Sequence, residues 1–493
     1  MLGRMSQGSQ EDGAARHAVR LTGLLLGPGA FVLMLGLPTP DGLALIGWHV
    51  AALAVWMALW WATEAIPLAA TALLPLVLLP LLGVADVGAA AAPYANPLIF
   101  LFLGGFLIAL AMQRWNLHRR VALLILKRAG AHPRRIVGAA MFATALLSMW
   151  ISNTATAMMM LPIAVSLSAI VSVDAANTRR RGNFAAALML GIAYAVSIGG
   201  LGTLIGSPPN ALLASYMGQI YGTTITFVDW MRLGIPVAVV MLPLTWLVLT
   251  RLAFPFSRTA DADAAATVSQ AVQSLGPMTG PERRVAIVAL LVALAWVTSP
   301  WLGGLVPGGT LSDTVIALAG AIALFVVPAN WSRREFLLDW AWASRAPWHV
   351  LLLFGGGLSL AGAIDKTGLA AWIGGGLDLF AVWPLIVVVA AVAALVIFLT
   401  ELTSNTATTA AFLPVVTAVG VAAGLDPLTL AVPAALAASC AFMLPAATPP
   451  NAVVYSSGLI TVPQMIRAGL MLNLIGIVVI ALLAPILVPL VSG

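Results

Sequence analysis

Charge is nearly missing from this sequence. Of its 493 residues only 8% are Asp, Glu, Lys or Arg, 61% are hydrophobic, and the mean hydropathy is +1.04. A soluble domain is about one quarter charged. So little charge cannot cover a water-soluble fold of this length, and the bilayer must be the solvent. Cysteine is limited to Cys440, which excludes an internal disulfide and any Cys-based metal site. The histidines (His17, His49, His118, His132 and His349) have no ligand spacing, which argues against a catalytic metal. The net charge of +6 does not point to nucleic acid, because the arginines are scattered between apolar runs and form no basic face. A membrane-embedded enzyme needs a nucleophile–base pair or a metal cluster at membrane depth. The sequence offers neither.

What is present is a series of apolar runs. They predict spans near 21–38, 43–63, 65–82, 97–113, 184–200, 231–255, 282–299, 313–327, 350–364, 428–446 and 464–491. The run LTGLLLGPGAFVLMLGL (21–37) follows a polar start and has no small-residue cleavage site, so it reads as a retained helix. Two more apolar stretches, 136–172 and 382–422, carry SNTAT near their middle. Broken there, each becomes two helices of roughly 16–19 residues, short for a crossing of about 20. They read as re-entrant hairpins, whose irregular backbone needs protein or a water-filled cavity around it. With the N-terminus cytoplasmic, every basic residue but Arg232 and Lys366 falls on the inside, and the C-terminus lies outside. Two full crossings in place of each hairpin would keep the same parity. The segment 115–135 reads as an interfacial helix leading into the first hairpin.

Repetition is the strongest signal. SNTATAMMMLP (152–162) matches SNTATTAAFLP (404–414). LFLGGFLIALA (101–111) matches LLFGGGLSLAG (352–362), and GSPPNALL (206–213) matches ATPPNAVV (447–454). The parity makes these two units inverted, and inverted repeats with broken helices mark secondary transporters. Each break exposes the N-terminus of a short helix, where free N–H groups and the dipole attract an anion. The carbonyls ending the preceding helix suit a cation such as sodium. Asn supplies both oxygen and N–H, and Ser and Thr supply hydroxyls. The PPN segments add a second pair of breaks, since proline lacks a donor and disfavours helix before it. No Lys or Arg lies within 140–160, 197–212, 397–415 or 440–455. An anion there must be neutralised by bound cations and dipoles, which gives coupling a cause.

These blocks, with WWATEAIPLAATALLPLVLLPLLG (60–83), resemble the divalent anion/sodium symporter family of dicarboxylate, citrate and sulfate carriers. The resemblance covers the chain from about residue 43 to its end. It implies an all-α polytopic membrane protein, an inverted-repeat transporter with about eleven transmembrane helices and two re-entrant helical hairpins. It also implies a homodimer in which a transport domain moves as an elevator against a fixed scaffold. By position, one sodium site would use Ser148, Ser152, Asn153 and Gly206, and the other Thr400, Thr403, Asn405 and Ala447. The carboxylates would meet Asn153, Thr154, Ser404, Asn405 and Thr406, with Ser207, Thr448 and Pro449 lining the pocket.

The expected organisation is a cytoplasmic tail (1–20), scaffold helices (21–96) and a first repeat (97–255) with its hairpin at 136–172. A cytoplasmic linker (256–284), linking helices (285–347) and a second repeat (348–493) with its hairpin at 382–422 complete it. The expected function is sodium-coupled symport of small di- or tricarboxylates, C4 acids first, in the cell membrane. The expected partners are the anion, sodium, lipid and a second copy, with no organic cofactor and no nucleic acid. Citrate or sulfate transport and sodium-independent exchange are the alternatives; a channel filter should instead form a ring. Glu401, beside the second SNT, is either functional or a local backbone cap. Glu64 anchors or pairs near the inner interface, and Trp56, Trp60 and Trp61 read as interface or packing aromatics. The Gly104-Gly105 pair reads as close helix packing.

Overall fold

A computed structural model describes residues 2–170, 178–256, 262–302, 311–375 and 383–491. Small parts of the expected hairpins (171–172 and 382), of the linker (257–261), of the linking helices (303–310) and of the second repeat (376–381, 492–493) lie outside the described residues. Among the described residues, eight helices are long and apolar enough to cross a membrane, from Val19–Gly36 to Val462–Leu490, and five further apolar helices are shorter. Strand is confined to a ribbon pairing Pro328–Asn330 with Glu335–Phe336, a small exception to the all-α expectation among the described residues.

Both SNT stretches break where the motif predicts. The first gives helices Pro133–Ser148 and Asn153–Ile170, the second Leu385–Thr400 and Asn405–Ala422. Their lengths are 16, 18, 16 and 18 residues. Each second half carries a proline at the same distance from its asparagine, Pro162 and Pro414. The repeat also governs packing. Helix Thr178–Gly200 packs on both halves of the first hairpin, and Leu428–Ala438 on both halves of the second. At the first contact the backbones nearly touch: a Cβ on Gly199 would lie 2.2 Å from the Ala145 carbonyl oxygen. Gly104 is a packing glycine as expected, since its Cβ would meet the Ala317 backbone at 2.7 Å.

Two expected spans need correction, and two polar segments contain helix. The span at 65–82 is broken into Leu68–Thr71 and Leu74–Leu81. The span at 428–446 stops as a helix at Ala438, although the next residues remain apolar. At the start of the chain, the backbone of the expected tail is continuous with the first helix, Leu2–Gly36. The polar linker contains a helix, Ala262–Ser274, which packs on Leu117–Lys127, the helix expected at the interface. Arg120 of Leu117–Lys127 fixes the linker's end by donating to Glu282 Oε2 (3.0 Å) and the Gly276 carbonyl (3.0 Å). Such a planar fork matches a carboxylate better than an ammonium could.

Glu64 pairs with Arg20 at 3.2 Å, as one reading of it required. Trp61 is buried and donates to the Leu68 carbonyl (3.2 Å), while Trp56 and Trp60 pack edge to face.

Candidate functional site

The two breaks are built from the same bonds. In the first, Ser148 Oγ lies 2.7 Å from Asn153 Oδ1 and 2.8 Å from the Val196 carbonyl oxygen. In the second, Thr400 Oγ1 lies 2.8 Å from Asn405 Oδ1 and 3.1 Å from the Ala438 carbonyl oxygen. Each cluster gathers three oxygens around one hydroxyl hydrogen. A set so rich in acceptors and poor in donors is what a hard cation takes. Val196 lies in the last turn or so of Thr178–Gly200 and Ala438 is the last residue of Leu428–Ala438, so both carbonyls come from near the C-terminal ends of helices packed on the hairpins.

The PPN loops repeat in the same way. Asn210 Nδ2 donates to the carbonyls of Gly200 (2.8 Å) and Thr203 (2.7 Å). Asn451 Nδ2 donates to those of Ala441 (3.2 Å) and Leu444 (3.0 Å). The spacing back along the chain is ten and seven residues in both loops. Each loop is followed by a short helix, Pro208–Ile220 and Pro449–Tyr455, with both prolines in its first turn, where a missing N–H costs nothing.

The halves meet crosswise. Pro449–Tyr455 packs on Asn153–Ile170, and Pro208–Ile220 packs on Asn405–Ala422. Tyr216 OH and Thr417 Oγ1 join them at 2.7 Å, and Ser207 Oγ and Ser439 Oγ at 3.0 Å. All four breaks therefore border one region between the repeats.

The sites expected from the sequence are partly assembled by direct contact. Ser148 bonds Asn153, and a Cβ on Gly200 would fall 3.1 Å from Asn153 Oδ1 and 2.9 Å from the Gly206 carbonyl oxygen. Ser148, Asn153 and Gly206 thus surround one point. Ser152 caps its helix weakly through Ala155 N (3.4 Å), and its carbonyl accepts from Thr156 N. Thr400 and Asn405 bond each other in the second break. Thr403 spends its hydroxyl on the Leu399 carbonyl and Thr408 Oγ1, which leaves its carbonyl as the group it can offer an ion. Ala447 is buried in the loop that Asn451 closes.

Of the residues expected to meet the anion, Asn153, Thr154, Ser404 and Asn405 are half-buried and Thr406 is buried. Ser404 makes no capping bond through its side chain. Thr448 caps Asn451 N at 3.3 Å, and Pro449 opens the helix that follows. Ser207 is buried against Ser439. Trp150, just before the first SNT, stacks on Phe227 (6.0 Å) and Trp296 (6.2 Å).

Glu401 takes the structural role. Its Oε1 accepts from Phe442 N (2.7 Å), Met443 N (2.9 Å) and Asn473 Nδ2 (2.8 Å), and its Oε2 from Leu444 N (3.1 Å). Every partner is a donor, so the group is bound as a carboxylate. Sequence reasoning missed Gly200, Ser439 and Asn473. Asn473 had a visible signal, as a lone amide in the apolar run LMLNLIGIVV.

The first break is the tighter one. A Cβ on Gly206 would lie 2.6 Å from the Gly200 carbonyl oxygen and 3.0 Å from its Cα. The second break has Ala441 and Ala447 at these places. Gly206→Ala is therefore expected to weaken cation binding at least tenfold, and Ala447→Gly to be tolerated. Cation-dependent thermal shifts in detergent read both; an unchanged shift in Gly206→Ala counts against a site there.

Comparison with known proteins identifies the family and the fold. The family described as "Sodium:sulfate symporter transmembrane region" matches residues 18–491. A Staphylococcus saprophyticus protein named sodium-dependent dicarboxylate transporter SdcS is 42% identical over 98% of this chain and 94% of its own length. A Staphylococcus aureus protein of the same name is 43% identical over 97% of this chain and 92% of its own. Among solved structures, the Alcanivorax borkumensis YdaH transporter aligns with a TM-score of 0.58 at 16% identity, covering 90% of this chain and 98% of its own. The Neisseria gonorrhoeae MtrF efflux pump aligns with a TM-score of 0.56 at 13% identity, covering 80% and 81%. At such identities these structures share the fold alone.

Proposed function

This chain belongs to the divalent anion/sodium symporter family, and from that premise we propose that it imports small dicarboxylates with sodium, C4 acids such as succinate, fumarate and malate first. The observation that carries the reading is the duplicated oxygen cluster, Ser148–Asn153–Val196 and Thr400–Asn405–Ala438. Two such clusters can hold two cations beside the N-termini of Asn153–Ile170 and Asn405–Ala422. Those helix ends offer N–H groups to a dianion. With no Lys or Arg in the four break segments, the cations themselves balance the carboxylates. A dianion entering without them would stay uncompensated in a poorly hydrated site, at a cost of several kcal/mol. Coupling follows from that penalty. Relatives at 42–43% identity carry names that include both sodium and dicarboxylate, which favours dicarboxylates over sulfate and citrate. An exchanger that replaces sodium by a basic side chain has no candidate residue in these segments.

The same reading includes scaffold helices in 21–96 and 285–347, with the repeats 97–255 and 348–493 carrying the moving site as an elevator in a homodimer. It places the N-terminus in the cytoplasm and the C-terminus outside, by the bias of basic residues.

The deciding experiment is uptake of radiolabelled succinate into proteoliposomes under an inward sodium gradient. Accumulation above equilibrium is expected with sodium and not with potassium or choline. Unlabelled succinate, fumarate and malate are expected to compete better than citrate or sulfate. Equal uptake without sodium would sink the symport reading, and stronger competition by sulfate would reassign the substrate.

A further inference from the structure

Each PPN loop ends in an asparagine that is fully buried, Asn210 and Asn451. In both, the side-chain amide uses its two hydrogens on two carbonyls of its own loop. In both, the remaining atom, Oδ1, has no hydrogen-bond partner. A buried amide oxygen left without a donor costs about 1–3 kcal/mol. One such atom could be incidental; the same atom in the same place twice calls for a reason.

The surroundings supply it. Asn210 holds the carbonyl of Gly200, and Gly200 is the residue wedged between Asn153 Oδ1 and the Gly206 carbonyl. Asn451 holds the carbonyls of Ala441 and Leu444. Leu444 N in turn is fixed by Glu401, next to Thr400 of the second cluster. Each asparagine thus pins the irregular backbone that runs beside one oxygen cluster. The carbonyls fixed by the two amides are acceptors, and the orphan oxygens add to them. The loops are built for a positive partner and are not closed on themselves.

We infer that Asn210 and Asn451 are positioning residues for the two coupling cations, one for each site. The amide hydrogens set the carbonyl geometry, and the unanswered oxygen leaves each loop in need of the ion. The inference rests on the sodium-coupled reading above and extends it to residues outside the SNT motifs. It predicts that the two asparagines act separately. Loss of either should weaken one cation site and leave the other.

The test is sodium activation of succinate uptake by the full-length protein in proteoliposomes. Asn210→Leu and Asn451→Leu remove the amide at nearly constant volume. Each is expected to raise the half-activating sodium concentration at least tenfold and to lower the Hill coefficient toward one. The rate at saturating sodium should stay within about threefold of wild type. Should a leucine variant fail to fold, Asn210→Ser and Asn451→Ser, which keep a single donor, are expected to shift the midpoint at least threefold. Sodium-specific thermal stabilisation, read as the difference between sodium and choline for each variant, should shrink in the same variants. A midpoint within twofold of wild type, or a lost maximal rate at an unchanged midpoint, overturns the inference. Wild-type uptake indifferent to sodium would instead refute the functional reading, so the two failures are told apart.

Discussion

Glu401→Ala is expected to yield a protein that melts at least 10 °C lower in detergent and shows no sodium-driven uptake. The carboxylate accepts four hydrogen bonds, three of them from consecutive backbone N–H groups at Phe442, Met443 and Leu444. Removing it leaves those donors and Asn473 Nδ2 without an acceptor in a buried place. An unsatisfied buried donor costs about 1–3 kcal/mol, and folded domains have only about 5–15 kcal/mol in reserve. Several lost together therefore consume much of the stability. Glu401→Gln separates charge from shape. It keeps one acceptor oxygen but turns an amide NH₂ toward one of the backbone donors. The protein should still fold, and its uptake should fall at least tenfold. Bonds to a charged acceptor are worth about 1.5–3 kcal/mol each. The fixed negative charge also favours a cation at the neighbouring Thr400–Asn405 cluster. Wild-type uptake with wild-type sodium dependence in Glu401→Gln would remove this residue from the account.

The same carboxylate explains what the sequence hid. Residues 428–446 read as one span because hydropathy does not fall after Ala438. In a continued helix, the N–H groups of Phe442, Met443 and Leu444 would bond the carbonyls four residues earlier. Glu401 takes all three instead, so the helix stops and the Ala438 carbonyl is left for Thr400. The acceptor lies some forty residues before its donors, and no local pattern reports such a contact. The hairpins were legible because the break is written locally, as a polar SNT inside an apolar run, and written twice. The pairing of Ser148 with Asn153 and of Thr400 with Asn405 lies within that local reach. Ser439 was not legible, since its partner Ser207 belongs to the other repeat and only folding brings them to 3.0 Å. The helix in the linker was also missed. Its composition is polar, and its apolar positions make sense only once Leu117–Lys127 lies beside it.

Replacing the SNT asparagines should produce the largest loss of function with the least damage to the fold. Asn153 and Asn405 are half-buried at helix N-termini, and each has its Oδ1 in an oxygen cluster. Among the described residues, neither Nδ2 has a hydrogen-bond partner. One side chain can thus serve both species, oxygen toward the cation and N–H toward a carboxylate. Asn153→Ala and Asn405→Ala remove both functions, and uptake is expected to fall below about one hundredth of wild type, or about 2.7 kcal/mol. Asn153→Asp and Asn405→Asp divide the two. Aspartate keeps the oxygen and adds a negative charge, so sodium-specific thermal stabilisation should persist or increase. It also loses the amide hydrogens and repels a dianion, so succinate should no longer add stabilisation on top of sodium. Choline or potassium salts in place of sodium should give neither response. If the alanine variants transport at wild-type rates, the asparagines are packing residues. If the aspartate variants bind succinate as wild type does, the division of labour within the carboxamide is wrong, although the cation site could stand.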